Sequence, residues 1–368
     1  MNDKLKELEI LRGLYLKAEN DIIAVIVRKQ SQGYVDFAEN TALNRVQEIL
    51  QRLMDDTWHY VPKMIERHFY IGKLGYAAAG YANAAVVSVS ESPIVNILIS
   101  SLMDDLTEAV INARNSATMM VVGRRDLDLF RGSMLRGVVE GEVSGEGLTK
   151  ARNIFMSNMH EHGITVFTDK SGRNWRLSSY ANMAARATSR QAVNAGVLFS
   201  DPDWDLYQIS SHSPTCVVCA PLQGRVYSRS GEDNRFPAIA EAFGKVEKCG
   251  PSTLENSWLN IHPNCLHVIS KWSPVGMTDE EVRDIIEFSS FESNPKDVDP
   301  RSEAEIEEYR EKQRARSKLL MDYRQFEKYS SVLGGEVIPK TFQTFQKHKL
   351  INSEKYQQWE EMYRRRQV

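Results

Sequence analysis

Cysteine and histidine are concentrated in two short stretches of the sequence. Residues 210–219 read SSHSPTCVVC and residues 261–268 read IHPNCLHV, and together they hold three of the four cysteines and three of the eight histidines. The first stretch contains a C-x-x-C turn, Cys216 and Cys219, and the second contains an H-x-x-C turn, His262 and Cys265. Two such turns can meet across a fold and supply a tetrahedral ligand set for zinc. We therefore predict a zinc site formed by these four residues.

Two other histidines compete with His262 for the fourth ligand position. His267 would share a strand face with Cys265, because side chains two residues apart point to the same side of a strand. His212 is a weaker candidate, and the fourth cysteine, Cys249, lies apart from both turns.

Three kinds of chemistry are open to this cluster: structural metal binding, an inert cluster without metal, and metal catalysis. A catalytic zinc site needs an open ligand position and a general base, as in the H-x-E and P-C-x-x-C pattern of deaminases. Here His212 is followed by Ser213 and Pro214, so the glutamate is missing. A thioredoxin-like site would need a βαβ context. The sequence favours a structural Zn²⁺ and predicts no enzymatic activity.

The composition is that of a folded protein without a general affinity for nucleic acid. Of the 368 residues, 42% are hydrophobic and 26% are charged, and the net charge is −3. General nucleic-acid binders carry a large positive excess, so any such contact must be local. The charged N-terminus does not resemble a secretory signal, and no apolar run approaches the roughly 20 residues of a membrane helix. We expect a reducing cytosol, where C-x-x-C spacing favours metal binding.

Residues 1–150 have the periodicity of an extended all-helical region. Apolar residues recur every three or four positions from Leu8 to Val25 and from Ile94 to Ala113. Pro62 marks a position at which a helix must end, kink or restart. Because these apolar faces are long and few strands could cover them, we expect part of this surface to dock on a partner.

Residues 151–275 read as a small α+β domain that contains both turns. A hairpin is predicted around residues 169–172, and a helix is predicted through YANMAARATSRQAVNAG, its end marked by Asn194 and Gly196. Short strands are predicted at DLYQIS, GRVYS and HVISKW. The predicted zinc ion would staple this domain.

Residues 276–368 show no comparable strand pattern and read as a charged helical tail. The first part is acidic, whereas the end is basic, with Lys340, Lys347, Lys349, Lys355 and Arg364 to Arg366. Two interpretations stay open: the tail contacts the phosphates of packaged DNA, or it is a solvated helix that pairs with the acidic stretch at 279–311, in its own chain or in an adjacent copy. The fold class is therefore α+β and predominantly helical.

The run TDKSGRNWRLSSYANMAARATSRQAVNAG, followed by DLYQISSHSPTCVVCAPLQGRVYS and HPNCLHVISKW, resembles phage minor capsid proteins of the minor capsid protein 2 type. The pattern C-x-x-C … Q-G-x-V-[YF]-S … H-P-N-C-x-H is also similar to that of the wider phage head-morphogenesis proteins. The resemblance is strongest over residues 165–275 and looser on either side.

This resemblance implies a virion component made in the host cytoplasm and present in several copies at the portal vertex and capsid interior. It implies a role in head assembly and in DNA packaging or delivery. The expected partners are the portal protein and the major capsid or scaffold protein. The motif positions carried over are Cys216, Cys219, Gln223, Gly224, His262, Pro263, Asn264, Cys265 and His267. Leu266 departs from the arginine usual at this position, so a phosphate or carboxylate contact by that arginine is not expected here.

An alternative function is a metal-dependent nuclease or toxin-like effector carried in the phage head. Such an effector would need an additional segment with its own acid and base residues. The region from 276 to 368 contains a single histidine, His348, and no recognisable catalytic set. A structural and assembly role is therefore the favoured interpretation.

Overall fold

The computed structural model describes residues 3–31, 36–79, 92–121, 165–168, 174–243, 259–262 and 265–367. The three N-terminal helices are α1 (Asp3–Ser31), α2 (Asp36–Ala79) and α3 (Pro93–Val121). Helix α2 does not end at Pro62, which lies inside it. The turn predicted at 169–172 and Cys249 fall outside the described residues.

The predicted apolar faces of α1 and α3 are buried. Leu11, Tyr15 and Ile22 of α1 are fully buried, and so are Leu102 and Leu106 of α3. Ile97, on the predicted face of α3, is nevertheless 40% exposed, and the docking of part of this surface on a partner stays a prediction.

The middle of the chain supplies the strands. Strands β1 (Thr165–Thr168) and β2 (Asn174–Arg176) form an antiparallel pair, and helix α4 (Leu177–Phe199) follows directly. Strands β3 (Leu206–Ile209), β4 (Val226–Ser228) and β5 (Ile269–Lys271) form an antiparallel sheet in the order β4-β3-β5. A short helix, α5 (Ile239–Phe243), follows β4. The predicted strands are thus confirmed.

Helix α4 extends beyond its predicted end. Asn194 and Gly196 lie inside the helix, which continues to Phe199. Both residues make contacts with other parts of the chain instead of ending the helix. The buried amide of Asn194 donates to the Leu259 carbonyl at 2.7 Å and accepts from the Ile269 N–H at 3.1 Å. These bonds connect α4 to both ends of the segment that contains the second predicted metal-binding turn.

The rest of the chain is helical. Its helices are α6 (Asp279–Ser289), α7 (Glu303–Leu333), α8 (Phe342–Leu350) and α9 (Glu354–Gln367). Aromatic residues from α7, α8 and α9 pack together, with Phe345 fully buried between Tyr329, Tyr356 and Trp359. The chain is α+β and predominantly helical, as predicted.

The described residues form two compact units, each built from separated segments. One contains those within Met1–Glu9, Thr57–Leu106 and Asn182–Lys312, and the other contains those within Ile10–Asp56, Thr107–Ala181 and Gln313–Val368. The division into regions 1–150, 151–275 and 276–368 stays a prediction. Within the described ranges, no helix is both long enough and apolar enough to cross a membrane.

Candidate metal centre

The first metal-binding turn lies between β3 and β4. The N–H groups of Cys219 and Ala220 donate to the Cys216 carbonyl at 3.2 and 3.0 Å, which brings the two thiols of C-x-x-C to one side of the turn. The turn closes at Gly224, whose N–H donates to the Ile209 carbonyl at 2.9 Å. Gly224 has φ +76°, a conformation that favours glycine.

The second turn is held beside the first by the sheet. The Cys265 N–H donates to the His262 carbonyl at 2.8 Å, which closes this turn. Immediately after it, Ser210 and Val268 exchange two bonds: the Ser210 N–H donates to the Val268 carbonyl at 2.8 Å, and the Val268 N–H donates to Ser210 Oγ at 3.0 Å. Pairing of β3 with β5 thus places the two turns next to each other.

All four predicted ligands are brought together. Cys216 Sγ lies 3.3 Å from His262 Nε2, and Cys219 Sγ lies 3.9 Å from Cys265 Sγ. Donor atoms around a tetrahedral zinc ion, at bond lengths of about 2.1 Å for nitrogen and 2.3 Å for sulfur, lie roughly 3.5 to 3.8 Å apart. These two separations are close to the ligand spacing of zinc, but the four residues do not form one group in which all donor atoms lie within 4.8 Å of one another.

His267 also reaches the cluster. Its Nδ1 lies 3.4 Å from Cys265 Sγ, and its side chain is buried. The donor atoms fall into two groups, Cys216 with Cys219 and His262, and Cys219 with Cys265 and His267, in each of which all atoms lie within 4.8 Å of one another. Cys219 belongs to both groups. His212 belongs to neither, and its ring packs against that of His267 with centroids 4.5 Å apart.

The thiols influence one another's protonation. Hydrogen bonding with Cys219 lowers the pKa of Cys216 to about 3 and that of Cys265 to about 4, and the backbone N–H of His267, which donates to Cys265 Sγ at 3.4 Å, adds to the effect at Cys265. The pKa of Cys219 is raised, because its proton is held by these two sulfur atoms and the site is buried. Thiolates are the form of cysteine that binds zinc, and the lowered pKa values of Cys216 and Cys265 favour that form.

Gln223 orients the second histidine. Its Oε1 accepts from the backbone N–H of His212 at 2.9 Å and lies 3.0 Å from His267 Nε2. A histidine that donates through Nε2 has its Nδ1 lone pair free, and here Nδ1 faces Cys265. The spacing of cysteines and histidines in the sequence does not indicate a role for Gln223. Its position in the Q-G-x-V-[YF]-S motif was the only indication.

A distant arginine supports the first turn. Arg301 donates to the Thr215 carbonyl at 2.8 Å and pairs with Asp299 at 2.7 Å. The next residue, Ser302, caps α7: its Oγ accepts from the Glu305 N–H at 3.3 Å, and the Glu305 carboxylate accepts from Ser302. The backbone beside Cys216 is thereby fixed to the start of α7.

The arrangement suits a closed structural site. Thiolates and imidazoles are the donors of structural zinc sites. Among the described residues, no carboxylate belongs to either donor group. The two donor groups thus contain no carboxylate that could act as a general base for zinc-bound water.

Comparison with known proteins identifies a family over most of the chain. A family model with the description Phage minor capsid protein 2 matches residues 6–318, a range that includes both turns. No curated protein and no solved structure is significantly similar to the chain.

Proposed function

The chain belongs to the phage minor capsid protein 2 family. On this premise we propose that it assembles at the portal vertex, on the capsid interior. Its rigid part would be the module whose two turns are cross-linked by zinc. Family membership gives the protein a structural role in the virion. The portal protein and the major capsid or scaffold protein are its proposed partners, and head assembly with DNA packaging or delivery is its proposed process.

The zinc ion would be held by Cys216, Cys219, His262 and Cys265, with His267 as the alternative to His262. The supporting observation is the pair of donor groups that share Cys219. When bound, zinc would supply cross-linking between the two turns. Metal-binding energy of about 10 kcal/mol or more becomes folding energy in small zinc modules, so the ion would make this part of the chain rigid.

Metal content tests the zinc assignment. We expect about one zinc per chain in protein purified without chelator, and loss of that zinc in Cys219→Ser, because Cys219 is common to both donor groups. Cys249→Ser, which changes a cysteine outside both turns, is the matched control and should keep its zinc. Wild-type protein with less than a tenth of an equivalent would contradict the assignment. Comparison of His262→Ala with His267→Ala identifies the fourth ligand.

Portal binding requires a surface that the chain leaves exposed. Most apolar residues on the inner faces of α1 and α3 are buried, although Ile97 is 40% exposed, and Trp58 on α2 is 54% exposed. Large exposed aromatic side chains are frequent anchors of protein interfaces. We propose Trp58 as part of the portal contact.

Co-purification with the portal oligomer tests this contact. Trp58→Ser should weaken binding at least tenfold, as expected for an interface anchor. Leu350→Ser, at a position 64% exposed on α8, is the control and should bind as the wild type does. Normal binding by Trp58→Ser with loss in Leu350→Ser would place the interface on the C-terminal helices instead.

The basic end of the chain offers less free charge to DNA than its sequence suggests. Lys349 pairs with Asp322 at 2.5 Å, Arg364 with Glu360 at 3.2 Å and Arg365 with Glu361 at 2.5 Å. Phosphate would have to compete with these carboxylates. The assembly role is therefore proposed without a requirement for DNA binding by the tail.

A further inference from the structure

Helix α7 contains a stretch that the described part of the chain does not cover on any side. Every residue from 311 to 321, about three helical turns, is exposed. Helices that pack on their own chain bury one face. By that measure, none of the faces of this stretch is covered by the residues that the structure describes.

The two halves of this part of α7 carry opposite charge. Residues 303–311 contain five glutamates and one arginine, whereas residues 312–318 contain four basic residues and no carboxylate. The change of sign occurs within one turn. The surface is therefore acidic on one side of residue 311 and basic on the other.

One face of the helix displays this reversal along a single stripe. The stripe consists of Glu305, Glu308, Lys312, Arg316 and Leu319, which follow one another at intervals of three or four residues and so lie on one side of the helix. All five are exposed, Leu319 to 47%.

The basic half of the stripe has one acidic neighbour on its own helix, Glu308, which lies four residues before Lys312. The positions three and four residues from Arg316 are Lys312, Gln313, Leu319 and Leu320, none of which is acidic. Within the described ranges, neither Arg316 nor Lys312 forms an ion pair; the nearby pair, Arg310 with Glu307, lies on another face. The positive charge of this half is thus available to a carboxylate from outside.

We propose that this stripe binds the same stripe of a second copy of the chain. If the two α7 helices run antiparallel with a two-fold axis near Arg310, Glu308 of each copy lies opposite Lys312 of the other, and Glu305 lies opposite Arg316. Such a contact is self-complementary, as two-fold interfaces require. Leu319 adds apolar surface at each end.

The order of charges favours a second copy over nucleic acid. A phosphate backbone would be attracted to Lys312 and Arg316 but repelled by Glu305 and Glu308 on the same face. A partner must present the reversed order, basic and then acidic, to match both halves. An antiparallel copy of α7 presents that order.

Charge-reversal variants test this interface. Sedimentation velocity of the full chain at low salt measures self-association. The wild type should associate reversibly, and association should weaken with added salt. Glu308→Lys alone and Lys312→Glu alone should each weaken self-association about tenfold or more, since each places like charges opposite one another twice. A one-to-one mixture of the two variants should associate as the wild type does, because both opposite-charge contacts return.

The controls test whether a loss of association arises at this face of α7. Lys318→Glu, on a different face of the helix, should associate normally, and circular dichroism should show unchanged helicity in every variant. Glu305 is left unaltered because its carboxylate accepts the Ser302 bonds that begin α7. If a charge reversal impairs folding, the neutral variants Glu308→Gln and Lys312→Gln replace it. Each neutral variant should weaken association less than the charge reversal at the same position does.

Three results would overturn the proposal: a wild type that stays monomeric at all concentrations, a mixture that associates no better than its components, or reversals that abolish DNA binding while sedimentation is unchanged. The last would make nucleic acid the partner. None of these outcomes depends on the portal.

Discussion

Gln223 and His267 extend the candidate metal centre beyond Cys216, Cys219, His262 and Cys265. The carboxamide of Gln223 contacts His267 Nε2, and His267 in turn contacts the sulfur of Cys265 through Nδ1. Groups of this kind fix the orientation of metal ligands. Whether His267 binds the metal or only contacts Cys265, its position depends on Gln223.

We expect Gln223→Ala to weaken zinc binding roughly 10- to 100-fold, the usual effect of removing such a supporting group. Gln223→Glu keeps an acceptor oxygen and should retain most of the affinity. Competition with a chromophoric chelator measures the change. Gln208→Ala is the control, because Gln208 bonds to the Gly224 carbonyl of the same turn without touching a histidine. Unchanged affinity in Gln223→Ala would mean that His267 does not support the site.

At this scale the sequence predicted that these donor residues lie near one another, but it did not predict the residues around them. Cys216, Cys219, His262 and Cys265 could be chosen because donor type and spacing are visible in a linear pattern. Gln223 and Arg301 could not, because their partners, His267 and Thr215, are 44 and 86 residues away in the chain.

At the scale of elements, helices α2 and α4 cross at two glycines. A Cβ added at Gly72 would lie 1.9 Å from the Val193 carbonyl oxygen, and one added at Gly196 would lie 2.0 Å from the Phe69 carbonyl oxygen. Both positions therefore need a residue without a side chain, because the backbone of the opposite helix occupies the space. The crossing explains why α4 contains a glycine three residues before its end.

We expect Gly72→Ala and Gly196→Ala each to lower the free energy of unfolding by about 2 kcal/mol or more, since the helices must separate to admit a methyl group. Urea denaturation measures the effect. The double variant should cost less than the two single changes added together, because the first substitution already moves the helices apart.

Gly13 on α1 provides the matched control, because an added Cβ meets nothing within 4 Å. Gly13→Ala should stabilise the chain by about 0.5 to 1 kcal/mol through helix propensity alone. Equal effects at all three glycines would show that α2 and α4 do not cross closely at these positions.

The helix containing Gly196 also shows where sequence patterns mislead. Asn and Gly near the end of an apolar period predict a helix end, yet Asn194 and Gly196 are internal. Each makes a tertiary contact, a buried hydrogen-bond pair for Asn194 and a close crossing for Gly196. Local pattern cannot separate a capping residue from a packing residue of the same type.

At the scale of the whole molecule, periodicity identified the helices but not what they face. The stripes on α1 and α3 were correctly found, and residues such as Tyr15 and Leu102 are fully buried. However, a stripe has the same appearance whether it meets its own chain or a partner. The compact units draw on segments more than a hundred residues apart, and such long-range packing leaves no periodic signal.

The bond from Arg301 to the Thr215 carbonyl couples metal binding at the first turn to the stability of the start of α7. Thermodynamic reciprocity requires that if metal binding stabilises the Thr215 backbone and so the first turn of α7, stabilising that turn strengthens metal binding by the same factor. The stripe that begins at Glu305 lies one turn beyond Arg301. Association of two copies through α7 would then increase the affinity of each copy for zinc. A chain without zinc would associate more weakly with a second copy.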